Sequence, residues 1–155
     1  MADQRILEIL LSDINIATQL LDILEQEFTA LSERKLDVLQ DLLAQKQPYL
    51  RQLEQHSKER SQRLMQEHLS ADQQGLEQLA SQSSIGAKLL ETSASLNNLL
   101  EQCQAANLRN GRLIRSNQIS VNGMLNIIRG TDTPTLYDKT GSTAPSIKQR
   151  PFSQA

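Results

Sequence analysis

The side chains that could carry chemistry in this chain are few and widely scattered. Its histidines are His56 and His68, and its one cysteine is Cys103. A helical di-iron site needs a glutamate three residues before each histidine. Leu53 and Met65 stand there instead. Zinc would want a His-x-x-x-His pair or paired cysteines, and neither occurs. No glycine-rich loop is present to cradle a phosphate, and no nucleophile elbow to present a serine. Catalysis, a metal and a cofactor are therefore not expected. Cys103 falls on an apolar helical stripe, where a cysteine acts as a small core residue. Glu54, Glu59 and Glu67 alternate with Lys and Arg, the pattern of a solvated helix face. Arg109, Arg112 and Arg115 step by three along one row. Such a row is either the solvated flank of a core stripe or an anchor for an acidic partner segment.

Charge and composition narrow the classes further. Sixteen Lys and Arg stand against 18 Asp and Glu, a formal net charge of −2. Nucleic-acid binding draws on a basic surface that releases counterions, and on aromatics interleaved with arginines. Neither is present. Aromatic residues make up 3% of the chain and Trp is absent, which argues against a sandwich or barrel. Leu, Gln, Glu, Ala and Ser dominate, the palette of long amphipathic helices. A lone cysteine makes no internal disulfide, which suits a reducing cytoplasm. The apolar run from Ile6 to Leu11 is too short for a signal-peptide core or a membrane span. A soluble, cytoplasmic protein is expected, with any approach to a membrane indirect.

The elements that must position a binding surface follow from periodicity. Leu7, Leu10, Ile14, Ala17, Leu21, Leu24, Phe28 and Leu31 recur in steps of three and four, which predicts a helix over residues 3–31. Ile6, Ile9, Ile16, Leu20 and Ile23 widen its apolar face enough for two neighbours. Ser32 to Lys35 form a polar connection. Leu36, Leu39, Leu43, Leu50 and Leu53 predict a second helix, with a kink or break at Pro48. Its stripe thins where Ser57 and Arg60 fall, so its far end is expected to be poorly packed or exposed as far as Leu69. A turn at Ser70–Gly75 and a short helical piece at Leu76 and Leu79 follow. Ser81 to Ser84 offer N-caps for a last helix over residues 85–128. Its stripe reads Ile85, Leu89, Leu96, Leu100, Cys103, Asn107, Asn110, Ile114, Asn117, Val121, Met124 and Ile128. Asn110-Gly111 would turn a hairpin between strands, but the helical phase runs through it. Residues 131–155 are rich in Thr, Ser, Pro and Gly and lack the apolar mass to offset ordering entropy. The expected architecture is all-α, an elongated bundle of long antiparallel helices over residues 1–130 with a flexible tail over 131–155.

The stretch Cys103 to Ile114 resembles the signature region of the FlgN family of flagellar export chaperones. That signature has an Asn-x-x-Asn-Gly core, here Asn107 to Gly111, followed by an apolar residue at Ile114. A largely apolar run ends at Gly130, and a Tyr-Asp-x-x-Gly element stands at Tyr137, Asp138 and Gly141. The Leu-rich first helix and the spacing of Leu39, Leu42 and Lys46 are similar as well. The resemblance implies a cytoplasmic chaperone of type III export. It implies binding to the C-terminal helical regions of hook–filament junction proteins, the FlgK and FlgL type, and delivery to the export gate protein FlhA. It also implies docking of Tyr137, with Asp138 and Gly141, at that gate.

The residues themselves are compatible with such a role. An amphipathic helix that offers an apolar groove is the natural mask for a helix that must not assemble early. The expected binding residues are Asn107, Asn110, Gly111, Ile114, Asn117, Val121 and Leu125. Asparagines on an apolar stripe have two readings: a face kept open for a partner, or polar contacts that set the register of the protein's own helices. The alternative function is a coiled-coil structural adaptor or scaffold.

Overall fold

The computed structural model describes the backbone of residues 1–129 and the side chains of residues 1–117. Four α-helices follow one another: α1 (Ala2–Ser32), α2 (Leu36–Gln66), α3 (Gln73–Ser81) and α4 (Gly86–Arg129). No strand occurs among the described residues. The expected all-α class holds. The tail at 131–155, with Tyr137, Asp138 and Gly141, lies outside the described residues.

Helix α1 is the central element. Its apolar residues recur at two positions per heptad, and both sets are buried: Ile6, Leu7, Ile9, Leu10, Ile16, Ala17, Leu20, Ile23, Leu24, Ala30 and Leu31. So wide a face needs two neighbours, and α2 and α4 supply them, one on each flank. α2 returns antiparallel to α1. α4 runs parallel to it, because Cys103 Sγ meets Ala17 O and Asn110 Nδ2 meets Leu24 O at the same sequence separation of 86. α3 packs chiefly on α4 and also touches α2.

Two turns of the same kind join the first three helices. Lys35 N donates to Ala30 O and Arg34 N to Leu31 O, with Arg34 at φ 57°. Leu69 N donates to Leu64 O and His68 N to Met65 O, with His68 at φ 61°. Both are Schellman closures, which satisfy the last helical carbonyls. Neither uses glycine at its left-handed position, so neither was announced in the sequence. The α2 terminus is thus at Gln66 rather than Leu69. Asp72 then caps α3 by accepting from Gly75 N at 3.0 Å. Gly75 sits in the first turn of α3, where a Cβ would lie 1.7 Å from Ser70 O. Ser83 accepts from Ile85 N and donates to Asp3, which ties the start of α4 to the start of α1.

α2 passes through Pro48 as one helix, so of the expected kink or break the break does not occur. Proline removes one hydrogen bond and crowds the preceding turn, at about 3 kcal/mol. Leu42 and Lys46 before it, and Leu53 after it, are buried against α1 and hold the helix together. The far end of α2 is also better packed than its sequence suggests, since Leu64 is buried beside Ile6, Leu76 and Leu89.

The core thins along the bundle. Beside the N-terminal turns of α1, all four helices share one cluster that includes Leu10, Leu64, Leu79 and Leu96. In the middle, α1, α2 and α4 meet around Leu20, Leu24, Leu53, Cys103 and Ala106. Near the α1–α2 turn the cluster of Ile23, Ala30, Leu39 and Leu42 contains no α4 residue among those with described side chains.

Candidate functional site

Two charged layers fix how α2 lies on α1. Asp13, only 1% exposed, accepts from Arg60 and pairs with His56 Nδ1. Glu27 accepts from Lys46 Nζ at 3.1 and 3.3 Å. From Asp13 to Glu27 is fourteen residues forward on α1, and from Arg60 to Lys46 is fourteen back on α2. Leu20 and Leu53 lie midway between the layers and share one core cluster. A slip of the hairpin by one turn would leave the buried Asp13, Glu27 and Lys46 and the half-buried Arg60 without partners, so the layers specify register. Buried polar side-chain atoms without a partner are absent among the described residues.

Arg5 and Glu59 add a third crosslink at the surface, at 2.8 Å, with Arg63 also donating to Glu59. The Arg5 guanidinium, with Arg63 behind it, holds the Glu59 carboxyl down to about 2. Glu59 is therefore part of the α1–α2 join rather than of a freely solvated face. Asp3 and Asp72 are likewise held below the usual carboxylate range, chiefly by hydroxyl donors from Ser83 and Ser70.

Helix α4 carries the residues predicted to bind a partner. It continues unbroken through Asn110-Gly111. Cys103 is buried as expected, and burial pushes its thiol up to about 11. Asn110 is turned into the bundle and donates to Leu24 O at 2.8 Å. In this arrangement it sets the register of α4 on α1. Asn107, Gly111, Ile114 and Asn117 are half-buried along the same face. The side chains of Val121 and Leu125, further along α4, lie outside the described residues.

The arginine row divides. Arg109 forks onto Glu25 at 3.3 and 3.4 Å and lies 4.0 Å over the Phe28 ring, so it clamps α4 to α1. Arg112 is exposed and Arg115 half-buried.

The parallel register has one consequence for the far end of α4. At an offset of 86, Ser32, the last residue of α1, falls opposite residue 118. α4 continues to Arg129, so its last eleven residues, 119–129, have no α1 residue opposite them. They extend roughly 16 Å beyond the α1 terminus. Within the described residues, no group of three or more His, Cys, Asp or Glu is arranged to hold a metal, and no helix is long and apolar enough to cross a membrane.

The sequence matches the model of the FlgN protein family over residues 1–145. The chain belongs to the FlgN family. Among solved structures it is similar to a flagella synthesis protein FlgN from Pseudomonas aeruginosa, at 45% identity and a TM-score of 0.67. That match covers 78% of this chain and 93% of the other. No curated protein sequence matches the chain. FlgN membership gives this bundle a flagellum-associated role.

Sequence reasoning missed the two buried charge layers. Their signal was present as the matching fourteen-residue intervals Asp13–Glu27 and Lys46–Arg60, in two helices of one hairpin.

Proposed function

We propose that this FlgN-family protein is a cytoplasmic flagellar export chaperone that binds the C-terminal helical regions of hook–filament junction proteins of the FlgK and FlgL type. Binding masks those helices against premature assembly, and the loaded chaperone delivers them to the export gate protein FlhA. The observation that carries this reading is the end of α4, which outruns α1 by eleven residues while continuing the Ile114, Val121 and Leu125 stripe. A helix left without its neighbour on an apolar stripe is suited to receive a partner helix at i, i+3, i+4 and i+7 anchors. Gly111, Ile114 and Asn117 begin this surface. Asn110, bonded to Leu24 O, fixes α4 on α1 just before it, and Asn107 lies half-buried one turn earlier. Tyr137, with Asp138 and Gly141, is assigned to the gate, where an aromatic anchor C-terminal to α4 in the sequence meets a second partner while the helices hold the first.

Isothermal titration with a peptide spanning the C-terminal helix of a junction protein tests this. The expected result is a dissociation constant below about 1 μM, near −8 kcal/mol or tighter. Ile114→Asp and a scrambled peptide should each abolish it, with the variant's helicity unchanged. No binding by a folded wild-type protein refutes the reading and favours a structural adaptor.

A further inference from the structure

We propose that the partner helix is gripped on two sides, with Leu36, Leu39 and Leu43 of α2 forming the wall opposite α4. This rests on the chaperone reading above and extends its site to a second helix.

α2 and α4 lie antiparallel, side by side on α1. Their seam is registered by one cavity, which Ser57 and Ser61 of α2 line together with Asn97 and Leu100 of α4. One heptad further along, the same rows bring Leu50 opposite Asn107. The next heptad brings Leu43 opposite Ile114, and the third brings Leu36 opposite position 121. The α2 row is apolar at each of these later positions.

The seam is covered at one end and open at the other. At its covered end α3 lies across it, with Leu76 and Leu79 packed among Leu64, Leu89 and Leu96. Towards the α1–α2 turn no α4 residue among those with described side chains joins the cluster of Ile23, Ala30 and Leu42. There Leu36 is 68% exposed and Leu43 is 39% exposed, while Leu39 leans on that cluster. Two exposed leucines one heptad apart, with the half-buried Leu39 between them and Ile114 half-buried on α4, form an apolar strip open to one more helix.

The molecule itself indicates the occupant. α3 turns Leu76, Leu79 and Ala80 inward and leaves Glu77 and Gln78 outside. A partner helix of the same amphipathic kind, placed in line with α3, continues the fourth position of the bundle along the open seam. Arg115 stands half-buried one residue beyond Ile114, so the matching helix carries an acidic side chain on the flank that faces α4. The occupant is therefore an amphipathic export-cargo helix with leucine-type anchors at three-four spacing and an acidic flank.

The test is titration of the junction-protein peptide against four full-length proteins, with Arg115→Glu as a fifth. These are the wild type, Leu36→Ser/Leu43→Ser, Leu11→Ser/Leu90→Ser and Ile114→Asp. All four replaced leucines are exposed, so both double variants should fold as the wild type does. The α2 pair should weaken binding by about tenfold to a hundredfold, the expected loss for two apolar anchors. The Leu11 and Leu90 pair, which lies off the seam, should leave it unchanged. Arg115→Glu should also weaken binding. Unchanged affinity in the α2 variant, with loss in Ile114→Asp, overturns the second wall and leaves the chaperone reading intact. Equal loss in both leucine pairs also overturns it, since the effect would then be one of general surface hydrophobicity. A wild-type protein that does not bind overturns both readings.

Discussion

Lys46→Met should be among the most damaging single substitutions in α2. It deletes the ammonium that lies 3.1 Å from Glu27, whose side chain is 4% exposed. The carboxylate would remain between two helices with no cation and almost no water. Orphaning one member of a buried pair costs about 3–5 kcal/mol. For a chain of this size that lowers Tm by roughly 6–20 °C, at about 2–4 °C per kcal/mol. Glu27→Gln should cost less, about 1–3 kcal/mol, because Lys46 is 10% exposed and its stem can carry the charge outward. Glu27→Leu/Lys46→Leu removes both charges and should be near neutral, or more stable by up to about 4 kcal/mol. Urea unfolding followed by circular dichroism measures all three. Two results would refute the reasoning: a Lys46→Met cost below about 1 kcal/mol, or a double variant as unstable as the worse single one.

Three further outcomes follow from the bundle. Gly75→Ala places a methyl group against the Ser70 carbonyl and should lower stability by about 1–3 kcal/mol in the same assay, with binding of the junction peptide unaffected. Glu59 is held down to about 2 from an ordinary 4.5, so its contribution is fully present above pH 4.5 and is lost as pH falls toward 2. Arg5→Ala should flatten the acid limb of the stability profile in that window, and carboxyl titration by NMR should show Glu59 rising toward 4.5. Cys103 is buried and its thiol is pushed up to about 11, so thiol reagents at neutral pH should label it only as fast as α4 opens from α1. Asn110→Ala removes the Leu24 hydrogen bond and should speed that labelling severalfold.

Much of this arrangement was legible in the residues, and the failures share a cause. The doubled apolar set of α1 called for two neighbours, because so broad a stripe is not covered by one helix. Periodicity through Asn110-Gly111 outweighed the turn signal of that dipeptide, and α4 is continuous there. Pro48 does not break α2, because buried anchors stand on either side of it and local propensity carries no sign of them. Asp13, Glu27 and Arg60 were invisible as core residues because a charge on a wide apolar stripe is indistinguishable from a solvated one until its partner is placed. Leu36 and Leu43 read as core by spacing alone, yet their burial depends on a neighbour that the described residues do not supply at that end. The Schellman closures at Arg34 and His68 lack the glycine that would have marked them. The reading of Asn110 was open in the sequence, and its bond to Leu24 O gives it a structural task.

The central claim is that the open end of the bundle receives a helix of an exported flagellar protein. Hydrogen exchange of the full-length protein, alone and with a junction-protein C-terminal peptide, tests it most directly. New amide protection should concentrate in α4 from Asn107 to Arg129, with a second zone in the first turns of α2, and little change in α3. Protection confined to the outer face of α1, or no change at saturating peptide, would contradict it.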